Sequence, residues 1–243
     1  MPLEQFTTDA YPVHQRPQAW RAALQTHRLR PAIGPAAAPL YGTLTARSTA
    51  RGVEMARITS SPQTLQRLGH AADAIWIALH MGGAAALHHG RERIELAPGD
   101  IVFGPAHAQA DLDFRSDFRQ FVVSMPRASL KARLPGGQAF ALGHLCGSTG
   151  LGRMFAGTLT TLADAFDSLA DADIAPVESA LSEFIATSMA AQRELAAPAI
   201  SSTGAATLRR LCQYVDANLS DAGLTLFSRP LRHVATPVPD PGE

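Results

Sequence analysis

Cysteine, lysine and long apolar runs are scarce in this sequence, and each shortage excludes something. Cys146 and Cys212 are the two cysteines in 243 residues. They stand far apart and in no paired spacing, which excludes a disulfide framework and points to a reducing compartment. Lys131 is the lone lysine, the remaining basic residues are arginine, and basic and acidic residues balance at 21 each. With a formal charge of zero, no overall field draws in nucleic acid or an anionic membrane. No apolar run approaches the roughly 18 residues that a membrane helix needs. The opening MPLEQFTTDAYPVHQR lacks a basic start followed by an apolar stretch. A cytoplasmic protein with no membrane segment is therefore expected.

What is present suffices for one good core, or a core with a small appendage, since 46% of the residues are hydrophobic. The clearest local instruction is RIELAPGDIVFGP at 93–105. Alternation at period two, a turn at 97–100 and a renewed apolar run predict strand, tight turn, strand. Pro98 presets the first central turn position, Gly99 accepts the positive φ that a type II turn needs next, and Asp100 follows. Further short strands are predicted at 41–46, 53–59, 75–81, 84–88, 110–114 and 121–125, separated by glycine and proline with no room for a crossover helix. A mostly antiparallel sandwich or barrel follows.

Helical spacing appears first at 16–27, with Trp20, Ala23 and Leu24 on one stripe, and then briefly at 128–134. From Ser148 onward Leu151, Phe155, Leu159, Leu162, Phe166 and Leu169 recur at helical spacing. A second helix is predicted at 176–194, opened by Pro176 in its first turn. The two make a helical hairpin. Residues 198–204 read as a linker and 205–226 contain a third amphipathic helix, while the four prolines of 227–243 predict a poorly ordered tail.

His88-His89-Gly90-Arg91-Glu92 followed by Leu96-Ala97-Pro98-Gly99-Asp100 resembles the glycine-arginine, then leucine-x-proline-glycine-aspartate pattern of AraC-type transcription regulators. That pattern belongs to their N-terminal ligand-binding domain. Trp20 in its helix, the Met125-Pro126-Arg127 step toward Leu130, and the helix hairpin look like the family's layout in the same order. LRRLCQYVDANLSDAGL, at 208–224, resembles the first helix of the family's DNA-binding part. The resemblance implies an α+β protein: a cupin-like antiparallel β-barrel or sandwich over 1–147, then a dimerising α-helical hairpin over 148–197. It also implies an unidentified small-molecule effector, a homodimer, and no catalysis. In the family that helix leads into two helix-turn-helix units. Here 19 residues follow Leu224, so the DNA-reading part is expected to be missing and DNA binding lost, as a frameshift or early stop near Leu226 would do.

Cupins include metal enzymes, which makes a metal-dependent enzyme acting on a small molecule the alternative reading. His88, Glu92 and Gly99 match the end of the first cupin metal motif, but Ala86 stands where a histidine is needed and no second motif follows. No metal and no cofactor are expected. Within strand 75–81, Trp76 and His80 share one face and the aliphatic residues share the other, so both are predicted to point into the barrel as pocket residues. His107, in the loop after Gly104-Pro105, is the third ligand-binding candidate. Leu151, Phe155, Leu159, Leu162 and Phe166 are candidates for the dimer face, with ordinary core as the competing role.

Overall fold

The computed structural model describes residues 3–32, 40–69, 73–131, 133 and 140–196. The linker, third helix and tail expected over 198–243 lie outside the described residues. Twelve strands and four helices are seen among them. In chain order these are β1 (Leu3–Thr7), α1 (Arg16–Thr26), β2 (Leu29–Ala32), β3 (Gly42–Ser48), β4 (Glu54–Ser60), β5 (Gln63–Arg67), β6 (Ala74–Gly82) and β7 (Ala85–His89). There follow β8 (Glu92–Leu96), β9 (Ile101–Pro105), β10 (Ala110–Phe114), β11 (Phe118–Pro126), α2 (Ala128–Lys131), β12 (Gly143–Leu145), α3 (Gly150–Ala165) and α4 (Asp171–Ala196).

Seven strands form one sheet in the order β1-β3-β4-β11-β6-β9-β12, and five form another in the order β2-β5-β10-β7-β8. Neighbours are antiparallel throughout. The two sheets face each other as a sandwich. Two connections are tight hairpins within a sheet, β3–β4 and β7–β8. In the second, Gly90 takes φ +61 at the first central position, as a type II′ turn requires.

The turn at 97–100 forms as expected, but its role is different. Gly99 has φ +98, and Asp100 N donates to Ala97 O at 2.9 Å. Yet β8 belongs to the five-stranded sheet and β9 to the seven-stranded one, so the turn is a corner between sheets and not a hairpin. The turn's own backbone explains this: Gly99 N donates to His80 O at 2.7 Å and His80 N to Asp100 O at 2.9 Å, carrying the β9 pairing onto β6. Asp100 is buried and holds the corner from the other side. Its carboxylate accepts from Ala97 N and Gly147 N, each at 2.9 Å, and lies 3.3 Å from His144 Nε2.

Each face of the larger sheet has its own core. Between the sheets lie Trp20, Leu24, Leu44, Ala56, Ile58, Leu65, Trp76, Leu112, Phe114 and their neighbours. On the opposite face Ile75, Ile77, Leu79, Phe103, Phe121 and Val123 pack beneath α3 and α4. The helix hairpin is tied down by charge as well as by apolar contact. Arg47 on β3 donates to Phe166 O at 3.0 Å and Leu169 O at 2.6 Å, and Arg57 on β4 donates to Ala163 O at 3.1 Å. These cations sit at the carbonyl end of α3, where the helix dipole favours them.

The helix opened by Pro176 begins earlier than expected, at Asp171, with Pro176 inside it. The acidic first turn accounts for this. Asp173 Oδ2 accepts from Ala170 N at 2.8 Å, satisfying one donor that the helix start would leave unpaired.

Candidate functional site

Among the described residues, a cavity opens at one end of the sandwich interior. It measures about 190 Å³ and is lined by the turn after α1 (His27, Arg28, Leu29), by Glu54, Ala56 and Ile58 of β4, and by Val122 and Ser124 of β11. Arg67, at the end of β5, and Ala74 complete it with Gly52. Strand alternation places these groups together. Ile58, Ala56 and Glu54 are every second residue of β4, and in the ladders they stand opposite Gln120, Val122 and Ser124 of β11. On the other side β11 presents the same three residues to His80, Ala78 and Trp76 of β6.

Arg67 is the unusual member. It is 5% exposed, and its guanidinium lies 4.7 Å above the ring of Trp76. Among the described residues no hydrogen bond or ion pair reaches that guanidinium, and its Nε is buried without a partner. Burial pulls its pKa down to about 10, opposed by the Glu54 carboxylate and assisted by the Arg28 charge, so it remains a cation at neutral pH. Such a group is costly, because desolvating an ion is repaid only by a partner. Trp76 itself is 1% exposed and donates from Nε1 to Pro105 O at 3.1 Å. Arg28 holds the cavity mouth in left-handed backbone, φ 63, a conformation that costs a non-glycine residue about 1 kcal/mol or more.

His80 is buried and its Nε2 lies 2.9 Å from Gly83 O. A carbonyl only accepts, so Nε2 carries the proton and Nδ1 is the bare nitrogen. Nδ1 and the Oε1 of Gln120, on the adjacent strand, are buried and have no partner among the described residues. Phe114 stacks on Phe118 at 3.6 Å and lies 6.0 Å from the His80 ring. Thus Trp76 borders the cavity through Arg67, while His80 points to the same interior four residues further along β6. His107 is exposed on the loop after β9. Phe155, Leu159 and Phe166 are fully buried and Leu162 nearly so, all within the core beneath the sheet; Leu151 is half-buried. Among the described residues no group of three or more His, Cys, Asp or Glu converges in a way that could hold a metal ion.

Burial pushes the imidazoles of both His80 and His27 below the ordinary histidine value. At His80 the Gly83 carbonyl and Asp100 oppose it, and at His27 the Glu4 and Glu54 charges do. A depressed folded-state pKa means that the unfolded chain binds the proton more readily. Their contribution to stability is therefore complete above about pH 6.5 and is lost as pH falls from there through the folded values. Denaturant midpoints measured at pH 7.5, 6.5 and 5.5 should fall with pH, and the fall should be smaller in the double variant His27→Gln, His80→Gln. An unchanged slope would assign the acid sensitivity to other groups.

A family model described as AraC-binding-like domain matches residues 18–191. The fold is similar to that of the AraC-like transcriptional activator CuxR, with 15% sequence identity over 92% of this chain and 81% of the other, at a TM-score of 0.62. A cupin superfamily protein from Desulfitobacterium hafniense DCB-2 aligns over 39% of this chain and 84% of its own, at 17% identity and a TM-score of 0.31. An RmlC-like cupin protein from Desulfovibrio desulfuricans aligns over 34% and 80%, at 14% identity and the same score. No curated protein matches the sequence.

Proposed function

Because the chain belongs to the AraC-binding-like domain family, we propose that it is the effector-sensing and dimerising part of an AraC-type transcription regulator, not an enzyme. The open end of the sandwich takes up the effector. In this reading 1–147 is the sensor and 148–197 the pairing hairpin. The observation that carries it is the cavity itself: a hollow reached from solvent, in which Leu29, Ile58 and Val122 stand beside His27, Arg67 and Ser124, offers a small molecule both apolar contact and polar anchors. Trp76 acts as the support for Arg67, with His80 setting the polarity of the far interior. Residues 158, 161, 162, 165, 177 and 181 line an outward groove between α3 and α4, the surface offered to a second copy.

A thermal-shift screen of the full chain against a metabolite library tests the sensing role. A compound that binds the folded state stabilises it, by about 2.7 kcal/mol at a hundredfold excess over Kd. Ala56→Phe, which fills the cavity from β4, should remove that shift while leaving a cooperative unfolding transition. A library without any shift that Ala56→Phe removes would sink the reading. Sedimentation that finds only monomer at micromolar concentration would count against pairing.

A further inference from the structure

Resting on the sensing role just argued, we propose that the effector is a small organic anion, a carboxylate or a phosphate monoester, whose charged group pairs with Arg67 and whose body is apolar. Three observations converge. The first is the buried guanidinium, its central carbon 4.7 Å from the Trp76 ring centroid, with no hydrogen bond or ion pair from any described residue. The second is the charge of the cavity wall. Arg28 and Arg67 are formally positive and Glu54 negative, while burial holds His27 toward its neutral form. One net positive charge is left, which a singly charged anion neutralises. The third is the remaining wall. Leu29, Ala56, Ile58, Ala74 and Val122 make it apolar, and about 190 Å³ exceeds the roughly 150 Å³ of a cavity known to accept benzene. A planar guanidinium fork reads a carboxylate or phosphate through two parallel N–H donors, a specificity that a lysine could not supply.

Stacking on Trp76 serves this role. The indole supports the guanidinium from one side and burial confines it before any ligand arrives, so little rotamer entropy remains to be lost on binding. Ser124, opposite Trp76 across the β6–β11 ladder, adds a hydroxyl at the same wall.

The test is calorimetric titration of the full chain with benzoate, benzamide and phenyl phosphate, which share a ring and differ in charge. Benzoate or phenyl phosphate should bind at least about tenfold more tightly than benzamide, as a charge-assisted hydrogen bond implies. The tighter of the two anions identifies the source. Arg67→Met should erase the preference for the anion, and Arg67→Lys should keep it at reduced affinity. Ligand-free Arg67→Met should also unfold at a higher temperature than the parent chain, because it no longer buries an unpaired cation. Equal binding of benzamide, or failure of all three probes at millimolar concentration, would overturn the anion assignment; the sensing role itself falls only on the library screen above. An Arg67→Met chain less stable than the parent would show the guanidinium to be held by the fold, and would overturn it too.

Discussion

Gly147→Ala is expected to cost the fold about 3 kcal/mol or more, the upper range for forcing atoms into a packed site. A Cβ added there would stand 1.8 Å from the carbonyl oxygen of Gly99 and 2.2 Å from its carbon. Both are backbone atoms, so no side chain can swing aside. The corner cannot move away without loss. Gly99 N is bonded to His80 O on β6, and the Asp100 carboxylate, 5% exposed, accepts the Gly147 N–H. Parting the two segments strips donors from a buried carboxylate and pulls the start of α3 from the sheet. For a chain of this size the unfolding temperature should fall by roughly 6–12 °C. Gly157→Ala is the control. It lies within α3, with nothing within 4 Å of the added carbon, and it should stabilise by up to about 1 kcal/mol. Equal effects at the two positions would refute the backbone-contact argument.

Trp76→Ala should cost about 3–5 kcal/mol, the range for emptying a large aromatic site. The indole fills the sandwich against Gly104, where an added Cβ would meet it at 3.3 Å, and it supports the guanidinium of Arg67. Its removal takes one donor from the Pro105 carbonyl, which keeps the Ala108 N–H at 2.9 Å, and leaves the cation without its platform. Trp76→Phe keeps the packing and loses the hydrogen bond, so a smaller loss of about 1–3 kcal/mol is expected. Denaturant titrations followed by circular dichroism measure both. Fluorescence gives a parallel readout, because Trp20 and Trp76 are the two tryptophans and each variant leaves Trp20 alone. A Trp76→Ala chain as stable as the parent would return this residue to the role the sequence suggested, a pocket wall dispensable for folding.

The eight strands with clear alternation were legible, and so was the aliphatic face of β6 that α3 and α4 cover. Four strands were not. In β5 the three inward positions are Gln63, Leu65 and Arg67, so a buried face reads as a polar segment. Gln63 belongs inside because its side chain accepts from Trp20 Nε1 and donates to Ser60. In β2, Pro31 argues against a strand, but β2 is at the edge of its sheet, where a missing N–H is tolerated. β1 and β12 are edges too, one mostly polar and the other three residues long. Arg67 escaped for the same reason as β5. A charged residue at the end of a polar run looks solvated, and only the opposing sheet, supplied by residues distant in sequence, shows that it is enclosed. Trp76 was read correctly as facing inward because its strand carries the pattern within itself.

The order of strands also governs how the molecule can be made. β11, residues 118–126, lies between β4, residues 54–60, and β6, residues 74–82. A ribosome therefore releases both flanking strands well before the one that joins them. Until residue 126 is synthesised, β4 and β6 each present an unpaired edge bearing Ile58, Ile77 and Leu79, the kind of edge that recruits other chains. Closing these long-range ladders places folding among the slower, high-contact-order class. In the cell, the period most exposed to misassembly is the interval between translation of β6 and translation of β11.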